Sequence, residues 1–263
     1  MKLDLEICRA IAIRYGLPLQ FIFKEFHLMD VVSQIAAFVI KEPNLLVFKG
    51  GTALNKVYLQ GIQRFSEDAD FDLVTENANR ELLGFCERLA GELTGYKIAE
   101  FRKVRSTMQF YCTYETPLGG MDHVRIDVSP KRLLVAKPLE NRQIISEFTQ
   151  SSTSGIRVYS IEDLTARKMN ALVTRTEGKD LYDVHAALPM CSKNVLRTAI
   201  RLMLESEGVD KNVDLFLQKA VARIRKSDSK KLRSLTNPFI PAVNRPKSWE
   251  ELRNDLLARL DSL

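Results

Sequence analysis

With 263 residues, 45% of them apolar and 27% charged, the chain can bury one large core or two small ones; neither disorder nor a fibrous fold suits it. Its net charge of +6 and pI near 9.1 are compatible with a polyanionic partner without requiring one. The longest apolar stretches, such as 31–40, are broken by polar residues and too short to cross a bilayer, and the early acids Asp4 and Glu6 argue against a secretory signal. A cytoplasmic protein without membrane contact is expected.

In chain order, apolar spacing predicts helices over 3–15 and 23–41, separated by the break Gly16-Leu17-Pro18. The run 45–48, after Glu42-Pro43-Asn44, predicts a short buried strand, and Gly50-Gly51-Thr52 turns from it into a helix over 53–60. A strand over 69–74 follows, then a helix over 77–93 with Leu82, Leu83, Cys86, Leu89 and Ala90 on one stripe. Strands are predicted over 96–101, 108–114 and 123–128, the last two as an antiparallel pair joined at Pro117-Leu118-Gly119-Gly120. From Ser160-Ile161-Glu162-Asp163, which resembles a capping box, the pattern is helical: 181–188, 195–205, 213–224 and 249–260. The expected class is α+β, with a mixed domain over 1–155 and a helical domain over 156–263. The small polar residues 149–155 mark the boundary.

Donor chemistry narrows the choice of metal. Cys8, Cys86, Cys112 and Cys191 are scattered with no CxxC pair, which reads as free thiols, and His27, His123 and His185 are too few for a His-rich site. Any catalytic metal is then held by oxygen, which points to Mg2+ or Mn2+. Alternation along a strand puts Asp68, Asp70 and Asp72 on one face, where like charges repel unless a divalent cation bridges two of them. Either Asp68 and Asp70 or Asp70 and Asp72 can be that pair; an acidic surface strand is the plain alternative. Asp127, in Val124-Arg125-Ile126-Asp127-Val128, becomes the third carboxylate if its strand neighbours that of Asp68. Three such acids suit two-metal phosphoryl-type chemistry.

Two further segments suit a phosphate-bearing ligand. Lys49-Gly50-Gly51-Thr52 brings backbone N–H groups and a helix N-terminus close to a phosphate, or is a tight turn with Thr52 as cap. Leu164, Lys168, Ala171 and Arg175 share a helix face, so two cations can point at a triphosphate. Asp180 and Asp183 can orient those cations or contact the nucleotide; helix–helix salt bridges are the alternative.

A glycine turn, a helix and an Asp-x-Asp strand resemble the polymerase-β-type nucleotidyltransferase superfamily. Lys49-Gly50-Gly51-Thr52-Ala53-Leu54, Arg64-Phe65-Ser66-Glu67-Asp68-Ala69-Asp70-Phe71 and the spaced Lys168, Ala171, Arg175, Lys179-Asp180-Leu181-Tyr182-Asp183 are similar to the AbiEii family, which includes the MenT toxins. That resemblance implies a polymerase-β-type mixed sheet flanked by helices and followed by a helical region. It implies an NTP as substrate, Asp68 and Asp70 as metal ligands with Asp127 as third acid, and Lys168 on the triphosphate. Asp180 or Asp183 is then an essential acid, and Arg64, Ser66 and Arg175 sit in the nucleotide site. Phosphorylation of Ser66 as a silencing event and a winged-helix antitoxin partner follow from the same likeness.

The basic residues Lys131, Arg132, Arg197, Arg201, Lys219, Arg223 and 225–233 are either solvated faces or a guide for an RNA backbone. The resemblance favours RNA, a tRNA acceptor end. Transfer to a small molecule or a protein hydroxyl, and an inactive nucleotide-binding protein, are the alternatives. Aromatics are not interleaved with these charges, so no base stacking is expected. A monomer is the default.

Overall fold

In the computed structural model, which describes residues 3–42 and 45–263, helix α1 (Leu5–Tyr15) starts where the Asp4 carboxylate accepts from Glu6 N and Ile7 N, and ends at left-handed Gly16. The predicted Pro43-Asn44 break lies outside the described residues. Helix α2 (Leu19–Lys41) begins four residues before the predicted start, because Pro18 sits at its N-cap and Ile22 is already core-facing. Strand β1 (Leu45–Lys49) leads into α3 (Gly50–Val57), and β2 (Asp68–Val74) into α4 (Ala78–Glu92). The meander β3 (Lys97–Val104), β4 (Thr107–Glu115) and β5 (Met121–Pro130) matches the predicted strands, each somewhat longer.

The pieces β6 (Glu140–Asn141), β7 (Ile144–Ser146), β8 (Ser151–Thr153) and β9 (Arg157–Val158) are too short to carry a period-2 signal, and none was predicted. Helix α5 (Ile161–Thr174) opens at Ser160, whose Oγ accepts from Asp163 N at 3.1 Å. There follow α6 (Gly178–Ala187), α7 (Lys193–Ser206), α8 (Val213–Arg225), α9 (Ser229–Thr236) and α10 (Trp249–Asp261). Helix α9 went unpredicted: it is short, it buries only Leu232 and Thr236, and its lysines read as loop.

Seven strands form one mixed sheet in the order β3-β4-β5-β2-β1-β9-β6, with β2/β5 and β1/β9 parallel. The β4–β5 pair is antiparallel, as expected. One face carries Ala69, Phe71, Leu73, Phe110, Cys112, Val124, Ile126 and Val128, all buried against α2 and α4. This apolar face sets the register: a slip by one residue would carry every aspartate into that core. On the other face, α3 packs on β1 and β2 with α5 packed against α3, while β2, β5 and β4 line an open cleft.

A second core joins α5–α10 through Met169, Leu172, Leu181, Val184, Leu196, Ile200 and Leu256. A third, around α1 and the start of α2, takes in Phe65; its ring stacks on Phe21 at 4.2 Å between centroids. Phe65 N donates to Phe239 O at 2.7 Å. The segment between α3 and β2 is thereby pinned on both sides, which places its neighbours Arg64 and Ser66.

Candidate active site

The parallel pairing of β2 and β5 puts Asp70 directly opposite Asp127, and Asp68 opposite Arg125. Asp127 therefore joins the acidic face, as its strand alternation required. Beyond β5, Gln109 continues the Asp70–Asp127 row and Tyr111 the Asp68–Arg125 row. Arg125 lies among the acids: its Nη2 pairs with Asp68, and its Nε is 3.4 Å from Asp127 Oδ1. With this guanidinium between them, no three acidic, histidine or cysteine side chains among the described residues are gathered closely enough to enclose a metal ion as they stand. Three carboxylates still outnumber the single arginine. Burial, then the charge of Asp68, pushes Asp70 up to about 7, against the pull of Lys49. Burial and Asp68 likewise raise Asp127, against the pull of Arg125.

Asp72 has a different environment. It is fully buried, bonded to Lys49 Nζ and to the Tyr159 hydroxyl, which donates at 2.7 Å. Lys49 is thus occupied within the fold and does not line the cleft. Thr52 is buried too, its hydroxyl donating to Asp68 O; it neither lines the cleft nor caps α3, whose N-cap is Lys49. Both residues were expected at the nucleotide; both instead hold β2 in place.

The two glycines have separate reasons. Gly50 has φ 77, and a Cβ there would collide with the Asp70 carboxylate. A Cβ on Gly51 would lie 2.6 Å from Arg64 Nη2 and 3.1 Å from Lys168 Nζ. The first turn of α3 is thus squeezed between the acids and a set of cations.

Those cations are held from below. Arg64 forks onto Asp183, Nε to Oδ1 at 2.8 Å and Nη2 to Oδ2 at 2.6 Å. Lys168 Nζ reaches Asp180 Oδ1 at 2.8 Å and Asp183 Oδ2 at 3.0 Å. Arg175 forks onto Asp180 at 2.8 and 2.9 Å. Asn55 completes the set: Nδ2 donates to Asp183 Oδ1, and Oδ1 accepts from Arg64 N, both at 3.0 Å. Asp180 and Asp183 are wholly buried and absent from the cleft wall. Although burial alone would raise it, Arg175 and Lys168 hold Asp180 down to about 2, and Arg64 and Lys168 lower Asp183 in the same way. Three cations share these two buried carboxylates, and at the mouth Glu177 lies 3.7 Å from Arg175 Nε.

The cleft encloses about 530 Å³ and is lined by Gly51, Arg64, Ser66, Asp68, Asp70, Asp127, Lys168 and Arg175 from the predicted set. Ser66 Oγ lies 3.4 Å from Arg64 Nη1. Lys24, Glu67, Tyr111, His123, Arg125, Glu177 and Lys179 also line it. Arg125 and His123 were legible as the residues two and four before Asp127 on the same strand face. Tyr111 and Lys24 come from elements whose place in the cleft only the fold decides.

A family model described as "Nucleotidyl transferase AbiEii toxin, Type IV TA system" matches residues 35–259. The chain belongs to the AbiEii nucleotidyltransferase toxin family. The AbiEii match takes in β1, α3, β2, β5, α5 and α6, and so every element of the cleft except the part of α2 that carries Lys24. Among solved structures, MenT4, a nucleotidyltransferase toxin from Mycobacterium tuberculosis H37Rv, is similar with a TM-score of 0.68 at 20% identity, covering 100% of this chain and 91% of that one. JHP933 from Helicobacter pylori is similar with a TM-score of 0.55 at 19% identity, over 94% and 92% of the two chains. A putative nucleotidyltransferase from H. pylori reaches a TM-score of 0.53 at 20% identity, over 94% and 95%. At these identities the likeness shows a shared fold, the α+β nucleotidyltransferase architecture. No curated protein matches the chain in sequence. No helix among the described residues is long and apolar enough to cross a membrane.

Proposed function

We propose that this AbiEii protein transfers a nucleoside monophosphate from an NTP to a hydroxyl of an RNA acceptor, a tRNA 3′ end, and that its antitoxin is a small winged-helix protein. The carrying observation is the arrangement of charge in one cleft. The carboxylates Asp68, Asp70 and Asp127 face the cations Arg64, Lys168 and Arg175 across the glycine-led N-terminus of α3.

The donors fit hard divalent cations, Mg2+ or Mn2+: they are all carboxylate oxygens, and Asp127 Oδ1 is buried without a hydrogen-bond partner. When bound, the metal supplies neutralisation of the α-phosphate and activation of the acceptor hydroxyl. Asp68, Asp70 and Asp127 are the residues that would hold it, in place of the Arg125 contact to Asp68. Asp70 with Asp72 is the poorer pair, because Asp72 is consumed by Lys49 and Tyr159.

The remaining residues bind and orient. The α3 N-terminus and the Lys168 ammonium take the β- and γ-phosphates, with Arg175 at the mouth. Asp180 and Asp183 are positioning residues here: they fix Arg64, Lys168 and Arg175 without touching the nucleotide. Phosphate on Ser66 would set about two negative charges beside Arg64, where the triphosphate is to bind. The basic faces of α8 and α9 approach the cleft mouth near Arg175 and Lys179, and support a polyanionic acceptor.

The test is incubation with each labelled NTP, magnesium, total RNA and total protein. Label in RNA is expected, with none from Asp68→Ala; label confined to protein, or an active Asp68→Ala, overturns the proposal. Growth arrest on expression, lost in Asp68→Ala, is the cellular counterpart.

A further inference from the structure

The cleft has two ends, and the acids lie between them. At one end are the N-terminus of α3, Arg64 and Lys168; at the other, across β5, is β4. In-line displacement places the attacking hydroxyl opposite the departing pyrophosphate. With the triphosphate on the α3 side, the acceptor must approach over β5 and β4. That direction rests on the function proposed above.

Aromatic side chains lie in that path. Tyr111 on β4 and His123 on β5 both line the cleft, with ring centroids 4.9 Å apart and planes at 89°. The two rings make a corner: a flat base can lie against one while its edge meets the other. Tyr111 stands in the Asp68–Arg125 row, two strands from Asp68, or about 10 Å at ordinary strand spacing. The next residue in that row is Ala99 on β3, too small to cover the ring. Tyr111 is only partly buried and His123 is exposed, so neither ring is spent on the core. Arg102, exposed on β3 and paired with Gln109, continues the Asp70–Asp127 row and offers a cation beyond the corner.

We infer that Tyr111 and His123 form the acceptor subsite, stacking the terminal base of the RNA end that supplies the attacking hydroxyl, with Arg102 facing its backbone phosphate. This departs from the expectation that the protein makes no stacking contact. That expectation searched for aromatics among the basic residues of the helical half, whereas these rings sit on the sheet.

Initial rates with total RNA varied at saturating NTP and magnesium, and with NTP varied at saturating RNA, separate the two ends of the cleft. Tyr111→Ala is expected to raise KM for RNA about tenfold and to leave KM for NTP unchanged, which also reports an intact fold. Tyr111→Phe keeps the ring and recovers the acceptor affinity. An RNA KM that does not move in Tyr111→Ala, or an NTP KM that rises in its place, overturns the subsite and leaves nucleotidyl transfer standing. A Tyr111→Phe enzyme as weak as Tyr111→Ala assigns the effect to the hydroxyl and overturns stacking. Absence of label in RNA from the unsubstituted protein overturns the proposed function, and the subsite with it.

Discussion

The two halves of the cleft handle charge in opposite ways. On the helical half, Arg64, Lys168 and Arg175 are matched to Asp180 and Asp183 by short, forked contacts, and the acids are wholly buried. On the sheet half, Asp68, Asp70 and Asp127 crowd together with Arg125 as their one neighbour in the cleft wall that carries positive charge between them. The first half is assembled by folding, because buried charges must be paired before the chain can close over them. The second remains electrostatically unfinished, which suits groups that meet a cation and a substrate only at the moment of function.

That contrast can be broken most severely at Asp183. Asp183→Ala leaves Arg64 and Lys168 buried with one partner fewer and is expected to cost about 3–5 kcal/mol in urea unfolding. A loss below about 1 kcal/mol would show that the helical half is not the prepaired network described. Lys168→Ala belongs to the same class, so its effect on transfer has to be read beside its melting curve. On the sheet half, Asp68→Ala is expected to lower transfer at least about 100-fold. Stability should stay within about 1 kcal/mol, since Asp68 and Arg125 are both about a third exposed. Equal losses of activity and stability there would erase the distinction between the halves.

Acid adds a third test. Asp180 is held at about 2, below its unfolded value, so its contribution is present above about pH 4 and is lost as pH falls toward 2. Denaturation curves across that window should lose about 2 kcal/mol more in the parent than in Asp180→Asn. The smallest effect has the reverse sign. Asp70 is raised, so ionising it opposes folding. Asp70→Asn, measured with chelator present, should exceed the parent in stability by about 1 kcal/mol above pH 7. That advantage should shrink steadily as pH falls from about 7 and be gone near pH 4, where the unfolded carboxyl is protonated as well. An Asp70→Asn protein less stable than its parent at pH 8 would contradict the crowding.

How much of this was legible depends on the range of the signal. The α2, α4 and α7 helices announce themselves through apolar stripes, and β4 and β5 through alternation joined at a glycine turn. The Asp68, Asp70 and Asp127 face follows from period 2 once the strands exist. By contrast, Lys49 and Thr52 sit in a glycine-turn segment that suggests ligand binding, yet their side chains are engaged by Asp72 and Asp68 of the next strand. Asn55 carries no local signal at all: its amide is needed because Asp183, 128 residues away, arrives beneath α3.

Read alone, the sequence determined what short-range periodicity and residue chemistry can carry. These are the α+β order of elements, the oxygen-only donor set, the carboxylate strand, the glycine turn and the cationic helix face. Tertiary structure decided which of those groups meet a ligand and which meet each other. Pairing β2 with β5 placed Asp127 opposite Asp70, and covering Asp72 with Tyr159 removed it from the cleft. Packing α6 under α3 turned Asp180 and Asp183 into anchors, and folding β4 beside β5 brought Tyr111 to His123. The reason is physical: a side chain's charge and shape are local properties, whereas its partner and its exposure are set by whatever segment packs against it.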